Sequence, residues 1–252
     1  MKRNSLIIKK TVSIMVLLSL FVVQIGCALF NKTARLESMI NAEKYNEALD
    51  FYRENRDDID KGDAVNVFES ALDKMYKNYL NGKTDRRDIQ EYINDLEKVQ
   101  SDALDSYGEG ILNDVNKVEL SREAFLKAEN AFKNSSYIEA ISYYEQVIKD
   151  DTNYNDAQKQ ISECRESYKK QKISEAEKYA QKEDYLNAIK LLKDAVAIAG
   201  ESDEINSLMN TYQTKFDDYI FNTAASLEKE AKYDEAIKLL SDNKSFVSDS
   251  KK

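Results

Sequence analysis

YLNAIKLL, residues 185–192, recurs as YIEAISYY at residues 137–144 and as YDEAIKLL at residues 233–240. Each step is 48 residues, and the same step carries Ala128 onto Ala176 and Ala224. Four columns held in register over three copies mark an internal repeat, and repeats of this length are stacked supersecondary units. Within the middle copy, Tyr185, Ala188, Ile189, Leu192, Ala195 and Val196 recur at three- and four-residue steps, the pattern of a helix with one apolar face. Asp184 stands where it can cap that helix. Upstream, Ile173, Ala176, Tyr179 and Ala180 form the apolar face of a second helix, with only polar residues 181–184 between the two. So short a turn predicts an antiparallel helical hairpin. Ala176 and Ala188 are small where the two helices would cross. One hairpin cannot bury both its faces, but a stack of hairpins can.

These residues resemble the tetratricopeptide repeat. That family has a small residue in the first helix, an aromatic near the turn, a small residue in the second helix and a large apolar residue four places later. Here they are Ala128, Tyr137, Ala140 and Tyr144, then Ala176, Tyr185, Ala188 and Leu192, then Ala224, Tyr233, Ala236 and Leu240. Asp151-Thr152-Asn153-Tyr154 stands where the family often has Asp-Pro-Asn-Tyr. Tyr45, Ala48, Leu49 and Tyr52 repeat the second-helix motif, and Ile89, Tyr92, Ile93 and Leu96 read as a decayed copy. The likeness is good over residues 120–241, fair over 34–57 and weak between.

The period departs from the family's, which is about 34 residues. The surplus is close to two heptads, residues 155–168 and 203–216, and each carries its own apolar row: Ala157, Ile161, Cys164 and Tyr168, then Ile205, Met209, Tyr212 and Phe216. Nothing in either row breaks a helix. The extension predicts first helices near 28 residues, about 21 Å longer than usual at about 1.5 Å per residue, continuous or bent in the gap between Tyr168 and Ile173. Before Leu120 the register is lost, although Ile111, Val115 and Val118 still suggest a helix. The expected fold is therefore all-α. It is a tetratricopeptide-like solenoid of hairpins with extended first helices. Degenerate hairpins are expected over residues 32–108 and three 48-residue repeats over 109–252.

Composition supports a helical chain and narrows its chemistry. There is no proline, tryptophan or histidine among 252 residues, and glycine occurs six times, so little interrupts a helix. Without histidine, Ser-His-Asp and Cys-His nucleophiles and most zinc sites fall away. No catalytic residue, metal ligand or cofactor is expected, and the chain reads as a non-enzyme. The net charge is −9. Loss of Lys2, Arg3, Lys9 and Lys10 would leave 33 basic against 46 acidic residues, a net −13. A body so acidic is a poor nucleic-acid binder, because phosphate contacts need positive charge.

The four basic residues precede TVSIMVLLSLFVVQIGCALF, residues 11–30, which carries no charge. This is the layout of a secretory signal, and about 20 apolar residues also suffice to span a bilayer. Either way the positive-inside rule puts the rest of the chain on the extracytoplasmic face of the cell membrane. Gln24-Ile25-Gly26-Cys27 resembles a bacterial lipobox, although Gln24 departs from the usual aliphatic residue. The resemblance implies a signal peptide over residues 1–26 and acylation, palmitate included, at Cys27. The alternative is a single membrane helix ending at residue 30. Several acyl chains at about 0.8 kcal/mol per buried methylene anchor stably where one does not. Cys164, the only other cysteine, lies in the apolar row and reads as a buried small hydrophobe.

Other features have plain readings. Asp57, Asp58, Asp60 and Asp63 surround Gly62 but lack the calcium-loop order, and read as a solvated loop or helix cap. Gly108-Glu109-Gly110 follows no strand and reads as a helix break. Tyr137, Tyr185 and Tyr233 stand at the repeat's packing position and are expected in the core. Residues 241–252 are polar apart from Phe246 and Val247, so the last hairpin is expected to lack a good cap and to invite self-association.

In the tetratricopeptide family the first helices line a concave groove that holds peptides. Carried over, the resemblance implies Arg122, Glu129 and Lys133, then Lys170, Glu177 and Gln181, then Asp218 and Lys229 as partner-binding residues. The expected function is a membrane-tethered, extracytoplasmic scaffold that binds protein or peptide partners in the cell envelope. The alternatives are a structural component of an envelope assembly and, more remotely, a carboxylate-dependent enzyme acting on cell-wall polymers.

Overall fold

A computed structural model describes residues 31–99 and 101–248. The expected signal or membrane segment and Cys27 lie outside these residues. Ten α-helices and no strand occur among the described residues, and no described helix is long and apolar enough to cross a membrane. The helices are α1 Lys32–Asn41, α2 Tyr45–Asn55, α3 Lys61–Leu80, α4 Arg86–Glu97, α5 Ser101–Lys133, α6 Tyr137–Tyr144, α7 Tyr154–Ala180, α8 Tyr185–Ala199, α9 Asp203–Lys229 and α10 Tyr233–Asn243. Two compact units divide at Leu120 and Ser121, within α5.

In unit 1, α1 packs on α2 and α3, and α4 packs on α2 and α3. Asp60 caps α3, accepting from Gly62 N at 2.8 Å and Asp63 N at 3.1 Å, so the acidic cluster includes a helix cap. Asp58 pairs with Lys32. Asp85 and Asp88 form a reciprocal capping box at the start of α4. Ile89, Tyr92, Ile93 and Leu96 are all buried, an apolar stripe at helical spacing.

The expected break at Gly108 and Gly110 does not occur: both lie inside the continuous helix α5. The reason is packing. A Cβ on Gly108 would meet Ile93 Cγ2 at 3.0 Å, so the bare backbone is what lets α4 and α5 approach. A helical glycine costs about 1 kcal/mol relative to alanine, too little to outweigh that burial in a chain without proline.

Unit 2 is a succession of packed neighbours, α6 on α7, α7 on α8, α8 on α9 and α9 on α10. Helices α7 and α9 are each 27 residues long and unbroken, which matches the predicted extension. Their N-terminal halves cover the preceding hairpin. Ala157, Ile161 and Cys164 share a core with Ala140, Ile141 and Tyr144. Ile205 and Tyr212, with Met209, share one with Ala188, Ile189 and Leu192.

The hairpin turns repeat as closely as the helices. Ser135, Glu183 and Ala231 are all left-handed, at φ 59°, 61° and 59°, and they stand 48 residues apart. Each ends its helix with the same six-to-one bond, Ser136 N to Ala131 O at 2.9 Å, Asp184 N to Tyr179 O at 3.0 Å and Lys232 N to Leu227 O at 2.9 Å. This is the Schellman arrangement, which satisfies orphan carbonyls at the helix end. Glu43 and Gly82 end α1 and α3 in the same way. Asp184 then caps the next helix, accepting from Asn187 N at 3.3 Å.

Candidate partner-binding surfaces

Within unit 2 the end of α5 with α6, α7 with α8, and α9 with α10 make hairpins 1, 2 and 3, and the third differs from the first two in one respect. Ala140, Ile141 and Tyr144 are buried under α7, and Ala188, Ile189 and Leu192 under α9. Among the described residues no helix follows α10 to do the same. Ile189 is 7% exposed and its counterpart Ile237 is 66% exposed. Leu192 is 0% exposed and Leu240 is 38%. Tyr233, expected in the core, is 59% exposed, whereas Tyr137 and Tyr185 are half-buried. The residues are the same and form the same helix, and what differs is that no covering helix lies over them among the described residues.

The result is a groove of about 400 Å³ between α9 and α10, lined by Phe221, Ala224, Ala225, Glu228, Tyr233, Ala236, Ile237 and Leu240. Ala224, Ala225 and Ala236 are the small residues of its lining, and Ile237 and Leu240 are its exposed aliphatic ones. The described part of the C-terminal tail, to Ser248, does not line it. Instead Val247 is buried beside Phe216 and Ile220, and Ser248 donates from its backbone N to Asp217 at 3.3 Å. Gln213 Nε2 donates to the same carboxylate at 2.8 Å and to Phe246 O at 2.8 Å. The polar tail is thus anchored by a buried aspartate, which nothing in its sequence pattern marks.

A second cleft, of about 500 Å³, lies in unit 1 among Glu43, Lys44, Tyr45, Glu47, Asp88, Glu91, Tyr92 and Asp95. The rings of Tyr45 and Tyr92 meet edge to face at 5.7 Å. Both hydroxyls are buried without a hydrogen-bond partner among the described residues. Burial, then the neighbouring Tyr45, pushes the Tyr92 hydroxyl well above its ordinary pKa. Local pairs already engage three of the carboxylates: Lys44 with Glu47, Arg87 with Glu91 and Lys98 with Asp95.

The eight residues carried over from the family resemblance are spread along α5, α7 and α9 and the turn after α7. Lys133, Lys170, Glu177, Gln181, Asp218 and Lys229 are exposed, and Arg122 is half-buried. Glu129 is half-buried and accepts the hydroxyl hydrogen of Tyr144, which ties α5 to α6. That bond, after burial, holds the Tyr144 hydroxyl well above its ordinary pKa. Neither the groove nor the unit 1 cleft is lined by any of the eight. No cluster of potential metal ligands occurs among the described residues. Sequence reasoning thus missed Phe221 and Ala225 as surface residues, and it misplaced Tyr233. The usable signal was the lack of a third covering row after α10.

No family model, no curated protein and no solved structure matches this chain.

Proposed function

We propose that this chain is a tetratricopeptide-like helical solenoid, tethered at the extracytoplasmic face of a bacterial membrane, that works as a non-enzymatic scaffold for protein partners. The observation that carries the reading is the open apolar face of the third hairpin. Contiguous apolar surface of this kind, rimmed by polar residues, marks interaction sites. The alternating hairpins and the three Schellman turns at a fixed 48-residue step support the solenoid reading. The basic n-region, the uncharged stretch over residues 11–30 and Cys27 support the tether, by lipid or by a membrane helix. The charged, exposed faces of α7 and α9 are consistent with additional peptide contacts at Lys170, Glu177 and Lys229.

A permanent place in an envelope assembly is the second reading. The same open face favours it, because a surface this apolar is costly to leave wet. The test is crosslinking in intact cells with a C-terminal tag, followed by mass spectrometry of captured proteins and of the N-terminal peptide. A few stoichiometric envelope proteins support the scaffold. Capture of the chain alone removes it. An acylated Cys27 establishes the lipid anchor, whereas an intact N-terminus through residue 30 establishes the membrane helix.

A further inference from the structure

The chain has met the problem of its third hairpin twice already, and its two solutions describe what would cover it. The face of hairpin 1 is covered by Ala157, Ile161 and Cys164 of α7, and Tyr168, next in the same row, is buried as well. The face of hairpin 2 is covered by Ile205, Met209, Tyr212 and Phe216 of α9. Both rows follow the spacing i, i+4, i+7, i+11 on one helix. The faces they cover are nearly the same surface. Tyr185, Ala188, Ile189 and Leu192 recur without change as Tyr233, Ala236, Ile237 and Leu240, and Ala176 recurs as Ala224.

Resting on the scaffold reading above, we propose that the open groove of hairpin 3 docks an amphipathic helix of a partner protein that carries this row. The interface is a continuation, one repeat further on, of two interfaces the chain makes within itself. Two details sharpen the occupant's chemistry. Lys215, ten residues after Ile205, lies 5.9 Å from the centre of the Tyr185 ring, and Tyr233 presents the equivalent ring to solvent. Ala180, which packs against the hairpin 2 core, is replaced by Glu228 on the groove wall. A helix with a basic residue near i+10 therefore meets a tyrosine face and a carboxylate together. Helix-in-groove recognition of this kind is read through anchors at three- and four-residue steps.

The probe is the chain's own covering segment, residues 203–216, as a blocked, fluorescently labelled peptide. It is added to the full chain in detergent and followed by anisotropy, with oligomeric state measured by sedimentation. Saturable binding at one peptide per chain is expected. It should weaken at least about tenfold in Ile237→Asp, as for loss of a central anchor. It should not change in Ile138→Asp, a control at another exposed isoleucine of unit 2. Substituting Ser for the peptide residues corresponding to Ile205, Met209 and Tyr212 should abolish binding.

Absence of binding to a monomeric, folded wild-type chain overturns the inference. So does binding that is indifferent to Ile237→Asp. A wild-type dimer that Ile237→Asp converts to monomer overturns it too, since the occupant is then a second copy. A photo-crosslinker at Lys133, away from the groove, separates this inference from the reading beneath it. Partners captured there while the peptide fails leave the scaffold standing, and failure of both removes both.

Discussion

Ser121 donates its hydroxyl hydrogen to Asp151 at 2.6 Å, and both residues are buried although 30 positions separate them. Asp151 also accepts from the backbone N of Asn153 at 2.9 Å and from its Nδ2 at 3.0 Å. Ser121 in turn accepts from Ile148 N at 3.1 Å. One carboxylate and one hydroxyl thus satisfy the backbone of the link between α6 and α7 and tie it to α5. A buried charge is tolerated only when it is hydrogen-bonded in this way.

Asp151→Ala should therefore destabilise the chain by about 2–4 kcal/mol, because it leaves the Ser121 hydroxyl and the Asn153 groups without their acceptor. Ser121→Ala should cost less, about 1–2 kcal/mol, since Asp151 keeps its bonds to Asn153. Urea unfolding followed by circular dichroism measures both. Equal, negligible effects would mean that the link is not held by this pair.

Two glycines on α5 make opposite predictions. Gly110 has open space where a Cβ would stand, and Gly108 has Ile93 at 3.0 Å. Gly110→Ala should stabilise by up to about 1 kcal/mol through helix propensity. Gly108→Ala gains the same propensity but must push Ile93 aside, and overpacking typically costs about 1–3 kcal/mol. Its net effect should be destabilising. Thermal melts of the two variants, side by side, check the difference in sign.

The same pair shows what a single sequence conveys. The helices were legible from apolar periodicity and the absence of proline, and the length of α7 and α9 followed from the extra heptads. The fate of Gly108 was not legible, since it depends on Ile93, which only the packing of α4 on α5 brings near. The burial of Asp151 and Asp217 was not legible either, because nothing local distinguishes a buried carboxylate from a solvated one. Of the eight charged or polar residues carried over from a family resemblance, Glu129 turned out to be engaged by Tyr144, a contact set by how α5 meets α6. The groove itself was half legible: the repeat singled out Ala224, Tyr233, Ala236, Ile237 and Leu240 but not Phe221, Ala225 or Glu228, and exposure is decided by a neighbour and not by the residues.

The left-handed turns carry a removable cost. Ser135, Glu183 and Ala231 adopt φ near 60° with a side chain present, where glycine is free of the Cβ penalty of about 1–2 kcal/mol. Glycine also loses more entropy on folding, which takes back about 0.5–1 kcal/mol. Glu183→Gly and Ala231→Gly should each stabilise by a few tenths to about 1 kcal/mol. A midpoint shift in urea at constant slope is the readout, and a β-branched substitution such as Glu183→Val should shift it the other way.

Cys164 should resist thiol reagents until the chain unfolds. It is 0% exposed in the core beneath α6. Burial first, then Glu163 and Glu129, pushes its pKa up to about 11. At pH 8 the native thiolate is therefore scarce as well as inaccessible. Alkylation at pH 8 should be slow in buffer and fast in denaturant. The linkage has a definite sign. The thiol ionises more readily unfolded than folded, so its contribution to stability is intact below the ordinary thiol pKa. It declines as pH rises from there toward 11. Rapid native labelling would mean that α6 and α7 separate readily.

Ile189 and Ile237 offer a matched pair in one molecule. They occupy the same repeat position on the same kind of helix, and they differ in whether another helix lies on top. Ile189→Ala removes buried methyl groups and leaves a cavity, which should cost about 2–5 kcal/mol. Ile237→Ala alters a mostly solvated side chain and should stay within about 0.5 kcal/mol of wild type. If a partner helix covers the face, the second figure must change when that partner is present. The bound chain would then lose stability on Ile237→Ala by an amount approaching the Ile189 value, because binding to the native state alone adds to its stability. Melting both variants with and without the 203–216 peptide tests this. A peptide-dependent penalty at Ile237 and none at Ile189 is the expected pattern, because the position at Ile189 is already filled from within.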